Sequence, residues 1–360
     1  MEKETNKIGI LTFHSAQNYG AALQCYSTIR FLSKNGLNVE TIDYKNKALI
    51  ERYKKVSFKY FFNPKNIYRI FKYNSLFVNN PSFYEFQKKY LNLSVKKYDE
   101  RNIIDIDSTY SSVVVGSDQV WNLSCNGDDI NYFLPFYNKN KIGLSISCGG
   151  KTSLFSEDIK HLVSTFNSLS IRESDDYEII KNTLKPDTIH AFDPVFLLTK
   201  DEWEELTDKN YNHKKDYVLV YMVFEDKSLL KYVKKQYHGT KTDVLYINAG
   251  PLKIPGVKNL RNVSPNQFLT LFLNAKAIYT NSFHGLAFSL ILEKDFAVKK
   301  LSKNVSINNR IISLLESTGY SDHLIGSESY TIEYKKQNLN DHINKLQNYL
   351  LNSLNKEVRK

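Results

Sequence analysis

The chain has 360 residues, 42% of them apolar, with 49 Lys and Arg against 38 Asp and Glu for a formal charge of +11. That length fits two domains, or one large α/β domain, around a sizeable core. Its three cysteines, Cys25, Cys125 and Cys148, lie far apart, which excludes a disulfide framework and a Cys-rich zinc site, and no run is apolar enough to span a bilayer.

The positive balance attracts anions: nucleic acid, an acidic membrane surface, or phosphorylated and carboxylated substrates. The opening MEKETNKIGILTFHSAQNYG has an apolar run too short for a signal sequence and no small-residue cleavage site. A reducing cytoplasm is therefore the expected setting.

Residues 8–13 (IGILTF) read as a buried strand and 14–19 as a polar loop. Residues 20–32 show helical periodicity through Leu23, Ile29 and Leu32, and stop at Asn35-Gly36. Residues 38–43 alternate as a second strand. Such an opening starts a doubly wound sheet, which binds ligands at the carboxyl ends of its strands. Asp43 stands roughly where a dinucleotide fold places its ribose acid, but only Gly20 is present where three glycines are needed, which argues against NAD.

Residues 45–98 alternate aromatics with lysines and read as a helical insertion. One reading packs these helices on the sheet with snorkelling lysines; the other rests them on an anionic membrane or a lipid-linked acceptor. No DNA or RNA module motif accompanies the segment, so nucleic acid is not an expected partner.

Regular α/β grammar returns in 111–122 (SSVVVGSDQVWN), which puts Ser117, Asp118 and Gln119 at the carboxyl end of a strand. Asp118 is a candidate catalytic residue there, with capping of the next turn as its other role. Residues 141–147 form another strand, leading to Cys148-Gly149-Gly150, a loop that lets a ligand approach the backbone. A helix over 157–166 precedes a short strand over 169–173 that carries Arg172 at its end. Its planar fork suits a carboxylate or phosphate; a salt bridge to Glu173 is the alternative. Residues 188–192 and the adjoining DPVFL close the first half, and the polar stretch 201–215 is the expected linker.

The second half repeats the pattern, with strands at 217–224 and 244–247 and a helix opened by Ser264-Pro265. Residues 277–280 (AIYT) form a strand that turns through 281–283 into a helix from His284-Gly285, with Asn281 or Ser282 as N-cap. His284 then sits at a helix N-terminus, which binds anions and suits an uncharged imidazole acting as a base; a structural cap is the other reading. A strand at 296–299, a helix at 307–317 and a last helix at 339–354 complete the chain. The expected organisation is α/β: two Rossmann-like domains facing across a cleft. They would span 1–205, with the insertion at about 45–100, and 206–330, with a C-terminal helix in 331–360.

GILTFHSAQNYGAALQ, VVVGSDQVW, SIRE, FDPVFLL, TNSFHGLAFS and NNRIISLLE, in that order, resemble the polysaccharide pyruvyl transferase family from Ile8 to about Leu324. The resemblance implies a fold like GT-B glycosyltransferases and transfer of a pyruvyl group from phosphoenolpyruvate to sugar hydroxyls, leaving a cyclic ketal on a surface polysaccharide. It implies an acid/base role for His284 and a donor contact for Arg172. Some members carry an Arg two residues before the His, where this chain has Ser282. Asn18, Tyr19, Gly20, Ser117, Gln119, Ser282, Phe283 and Gly285 join Arg172 as candidate substrate-binding residues. No HxxxH or paired-carboxylate set calls for a metal, and phosphoenolpyruvate enters as donor substrate, with no cofactor expected. Two other readings stay open: a nucleotide-sugar glycosyltransferase with Arg172 on the diphosphate, and a catalytically silent basic binding protein.

Overall fold

Residues 6–53, 80–247, 253–301, 305–326 and 336–355 are described by the structure, a computed structural model. They divide into two compact units. Unit 1 takes in the described residues of 1–50, 86–198 and 335–360; unit 2 takes in those of 51–85 and 199–334.

Each unit is built on one parallel sheet. In unit 1 the strands are β1 (Lys7–Leu11), β2 (Asn38–Tyr44), β3 (Leu93–Tyr98), β4 (Ser112–Val115), β5 (Asn140–Ile146), β6 (Ser168–Ile171) and β7 (Ile189–His190). Their order is β3-β2-β1-β4-β5-β6-β7. Unit 2 contains β8 (Tyr217–Tyr221), β9 (Asp243–Ile247), β10 (Lys258–Leu260), β11 (Ala277–Thr280) and β12 (Asp295–Val298), in the order β10-β9-β8-β11-β12. Every residue of β4, β5 and β8 is buried. Parallel sheets are covered on both faces, and so their inner strands are buried along their whole length, without alternation.

The strand order fixes where ligands go. In each sheet the winding reverses once, between β1 and β4 in unit 1 and between β8 and β11 in unit 2. Loops leaving neighbouring strands in opposite directions open a crevice there at the carboxyl edge. Segments 12–18 and 116–119 border the first crevice, and segments 222–226 and 281–284 border the second.

Several expectations change. The insertion expected over 45–98 ends in a strand: β3 pairs with β2, and Ser94 Oγ accepts the Asp43 backbone N–H at 3.0 Å. Its sequence, LSVKKY, turns one face to solvent, so its lysines made it look like part of a basic helix. Most of the basic, aromatic segment, 54–79, lies outside the described residues. β10 is a three-residue polar edge strand without an apolar signature. The stretch 201–215, expected as linker, opens inside the helix Lys200–Glu205, which has a Thr199–Glu202 capping box and a fully buried Trp203 packed edge-on against Phe288 at 5.1 Å. The last helix, Lys336–Leu354, belongs to unit 1, where Tyr349 donates to the Gly143 carbonyl at 2.8 Å.

In unit 2, the helix Phe283–Ile291 starts so close to β11 that only glycine fits at its third position. A Cβ on Gly285 would lie 2.2 Å from Thr280 Oγ1 and 3.1 Å from Tyr221 Cδ1. Thr280 cannot swing away cheaply, because its hydroxyl donates to the Tyr221 carbonyl at 2.7 Å and accepts the Ser282 N–H at 3.0 Å. Gly285→Ala gains up to about 1 kcal/mol of helix propensity and loses about 1–3 kcal/mol to overpacking. Overpacking wins: the variant should have a lower urea midpoint with an unchanged m-value, and a midpoint at or above wild type would show that the helix has room to shift.

Candidate functional site

The carboxyl edge of the unit 1 sheet is held together by a buried ion-pair cluster centred on Arg172. Arg172, just past β6, donates from Nη1 to Asp193 Oδ2 at 2.6 Å and from Nε to Glu173 Oε1 at 3.3 Å. The Arg172 and Asp193 side chains are 2% and 0% exposed. Ser117 Oγ, from the loop after β4, lies 3.1 Å from Asp193 Oδ2 and 2.8 Å from the Ser145 carbonyl in β5. Ser147 donates to Glu173 at 2.6 Å, and Ser145 Oγ donates to the Phe192 carbonyl. Burial opposes the guanidinium charge, but the carboxylates of Glu173, Asp193 and Asp118 outweigh it and hold the Arg172 pKa above its ordinary value. Arg172, expected on the donor, directs Nη1 and Nε to Asp193 and Glu173, of which only Glu173 was foreseeable as its neighbour in sequence.

The GSDQVW motif explains itself piece by piece. Gly116 has φ +108, and a Cβ there would lie 2.4 Å from the Leu144 carbonyl oxygen. Asp118 has φ +66 and accepts the Gln119 N–H at 2.9 Å through its own side chain, while its carbonyl accepts Ser147 N–H at 3.1 Å. That is the turn role, with the residue still half-buried at the edge. Gln119 Oε1 accepts from Asn122 at 2.7 Å. Trp121 is a core anchor, stacked on Phe133 at 4.8 Å with its indole N–H on the Tyr132 carbonyl at 3.0 Å.

Across the same crevice, Asn18 caps the helix Tyr19–Lys34, its Oδ1 accepting Ala21 N–H at 3.1 Å, with Gly20 buried and Tyr19 half-buried in the first turn. Gln24, one turn on, joins the two walls: it donates to Thr12 Oγ1 at 2.8 Å and accepts the Ser117 N–H at 3.0 Å. Behind them His14 Nε2 sits 2.9 Å from Asp43 Oδ1, which also takes the Lys45 ammonium at 2.6 Å. Burial would raise the Asp43 pKa, but the hydrogen bonds and charges of His14 and Lys45 bring it down to about 2. Asp43 therefore has its partners within the protein. Gln24 and the His14–Asp43 pair were missed because nothing local marks them: the partners are 93 and 29 residues apart.

In unit 2 the strand-turn-helix around His284 folds as expected, with the helix starting one residue earlier at Phe283. Ser282 is the N-cap, accepting Gly285 N–H at 3.3 Å. Asn281 does something else. Its Oδ1 accepts Val223 N–H at 3.0 Å and its Nδ2 donates to the Phe224 carbonyl at 2.8 Å, pinning the loop after β8. His284 is the second helical residue, 9% exposed, with the Phe283 ring edge-on at 5.2 Å. It lies at the positive end of the helix, beside the unit 2 crevice. The helical first turn carries no acidic residue to oppose an incoming anion.

The polysaccharide pyruvyl transferase family model matches residues 18–299. No curated protein matches the chain. Among solved structures, the chain is similar to the UDP-GlcNAc 2-epimerase from Neisseria meningitidis bound to UDP-GlcNAc, at 11% identity and a TM-score of 0.50, covering 98% of this chain and 95% of that one. The UDP-GlcNAc 2-epimerase from Methanocaldococcus jannaschii matches at 12% identity and a TM-score of 0.51, over 95% and 93%. At such identities the likeness is one of fold: two parallel α/β sheets in a GT-B-like chain.

The unit 1 edge can be tested at two positions. Arg172→Ala takes the guanidinium away from a buried Asp193 carboxylate, which costs about 3–5 kcal/mol; urea unfolding should show that loss. Wild-type stability combined with selective loss of anion binding would return Arg172 to the donor. Asp43 has a folded pKa below its ordinary 3.8, so its stabilisation is present above that value and is lost as pH falls towards about 2. The urea midpoint of wild type should therefore drop more steeply across that window than that of Asp43→Asn. Equal slopes would mean that the His14 and Lys45 contacts do not hold the carboxylate ionised.

Proposed function

The chain belongs to the polysaccharide pyruvyl transferase family, and on that premise we propose that it moves a pyruvyl group from phosphoenolpyruvate to two hydroxyls of a glycan, forming a cyclic ketal. The observation that carries this reading is His284, placed by Ser282 and Gly285 at the helix start that borders the unit 2 crevice.

The chemistry asks for a group that both takes and gives a proton. A sugar hydroxyl oxygen bonds to C2 of phosphoenolpyruvate as C3 gains a proton and becomes a methyl group. A second hydroxyl then bonds to C2 as the C2–O bond to phosphate breaks, and its proton leaves with the phosphate. One donor and two hydroxyls give one ketal and one inorganic phosphate. Imidazole titrates near neutral pH and serves as base to the hydroxyl and acid to the departing groups. The positive end of the Phe283–Ile291 helix favours the negative charge that gathers on phosphate. Arg172 acts at one remove, fixing Ser117 and the GSD turn. Asp118, half-buried at the unit 1 edge, is the carboxylate there that could accept a hydroxyl proton.

The fold alone would suit a nucleotide-sugar enzyme equally well, and the donor decides between them. The expected acceptor is an exopolysaccharide, capsule or cell-wall precursor. No helix among the described residues is long and apolar enough to cross a membrane. A lipid-linked precursor would then be met by peripheral attachment, for which the lysines of 45–98 are the candidates.

Incubation with phosphoenolpyruvate and a set of glycan acceptors should release phosphate and add one pyruvyl group to the acceptor, read by mass spectrometry. Phosphoenolpyruvate should also raise the melting temperature, as a ligand of the folded state does. Consumption of a nucleotide sugar in place of phosphoenolpyruvate would overturn the reading.

A further inference from the structure

We infer that Val223 and Phe224, in the loop after β8, form the acceptor lip of the His284 site and take the apolar face of a pyranose ring. This rests on the pyruvyl-transfer reading. In a unit where Tyr84 and Tyr232 are also exposed, Val223 and Phe224 are adjacent exposed apolar side chains, at 45% and 47%. Their exposure is built in. Asn281, three residues before His284, holds the Val223 N–H and the Phe224 carbonyl with opposite ends of one amide, at 3.0 and 2.8 Å. A carboxamide used in this way fixes the loop's path and leaves the side chains outside it. The backbone of the pair is therefore tied to the turn that opens the His284 helix, beside the β8–β11 crevice.

The two acidic residues next in the chain select the kind of ligand. Glu225 is exposed beside Phe224, and Asp226 caps the next helix, its Oδ1 accepting Ser228 and Leu229 N–H at 2.8 and 3.1 Å. Glu225 disfavours a strongly anionic ligand at the lip, whereas the charge of Asp226 is offset by Lys299, 3.6 Å away. A neutral sugar meets both features at once, with C–H groups on one ring face for the aromatic ring and hydroxyls on its rim for carboxylate acceptors. A nucleobase would also stack on Phe224, but its phosphates would meet the same repulsion.

Saturation-transfer NMR with four methyl pyranosides (gluco, galacto, manno and N-acetylgluco) tests the lip without requiring turnover. At least one should receive saturation at its ring C–H protons from the wild-type protein. Phe224→Ala should weaken that signal by about two- to tenfold, the range for one aromatic contact, while Phe224→Trp retains it. Melting curves check that the variants are folded. In the transfer assay Phe224→Ala should raise the acceptor KM by a similar factor and leave the phosphoenolpyruvate KM within about twofold. Absence of saturation in any of the four with wild type, equal saturation in Phe224→Ala, or a change confined to the phosphoenolpyruvate KM would overturn the inference. Transfer from phosphoenolpyruvate with an unchanged acceptor KM in Phe224→Ala removes the lip and keeps the reaction. Saturation that depends on Phe224 in a protein that transfers nothing removes the reaction and keeps the lip.

Discussion

The pairing of Arg172 with Asp193 is the constraint on which the unit 1 edge depends. It draws together chain leaving β6 and β7, and through Ser117 and Ser145 it reaches β4 and β5. Charges so deeply buried are tolerated only when each finds a partner at close range, and so neither residue can change alone. SIRE and FDP are thus two halves of one contact. The same contact occupies Nη1 and Nε of Arg172 within the protein, and the carboxylates of Glu173, Asp193 and Asp118 surround its charge.

In unit 2 the governing constraint is steric. The helix Phe283–Ile291 approaches β11 until only hydrogen fits at Gly285, which brings its N-terminus, and His284, down to the carboxyl edge of the sheet. Asn281 ties the loop from the neighbouring strand to the same turn. The placement of the histidine and the pinning of the loop both follow from one strand-turn-helix, set where the strand order reverses, as the Asn18 and GSD segments are in unit 1.

Much of this was legible in the sequence because parallel sheets bury whole strands. Runs such as SVVV, NKIGLSI and YVLVY declare themselves without alternation. Cap chemistry at Ser282 and Ser264 marked helix starts to within a residue. Short edge strands escaped, since β3 and β10 present polar faces and their pairing comes from distant partners. Among the candidate site residues, position along the fold was legible and commitment was not. The place of Arg172 at a strand end was legible, but its pairing with Asp193, 21 residues away, arises only through the fold. The same holds for Gln24 with Ser117, and for Asn281, whose amide looked like a cap and serves as a clamp.

The central claim is that His284 moves the proton while the rest of the edge holds it in place. Single-turnover phosphate release from phosphoenolpyruvate, with a glycan that the wild type modifies, tests it most directly in His284→Ala and His284→Gln. Both variants should keep the wild-type melting temperature within a few degrees and release phosphate about a hundredfold more slowly or worse, as loss of a general acid/base does. Release near the wild-type rate from a folded His284→Ala protein would reduce His284 to a residue of the helix start and place the proton transfer elsewhere.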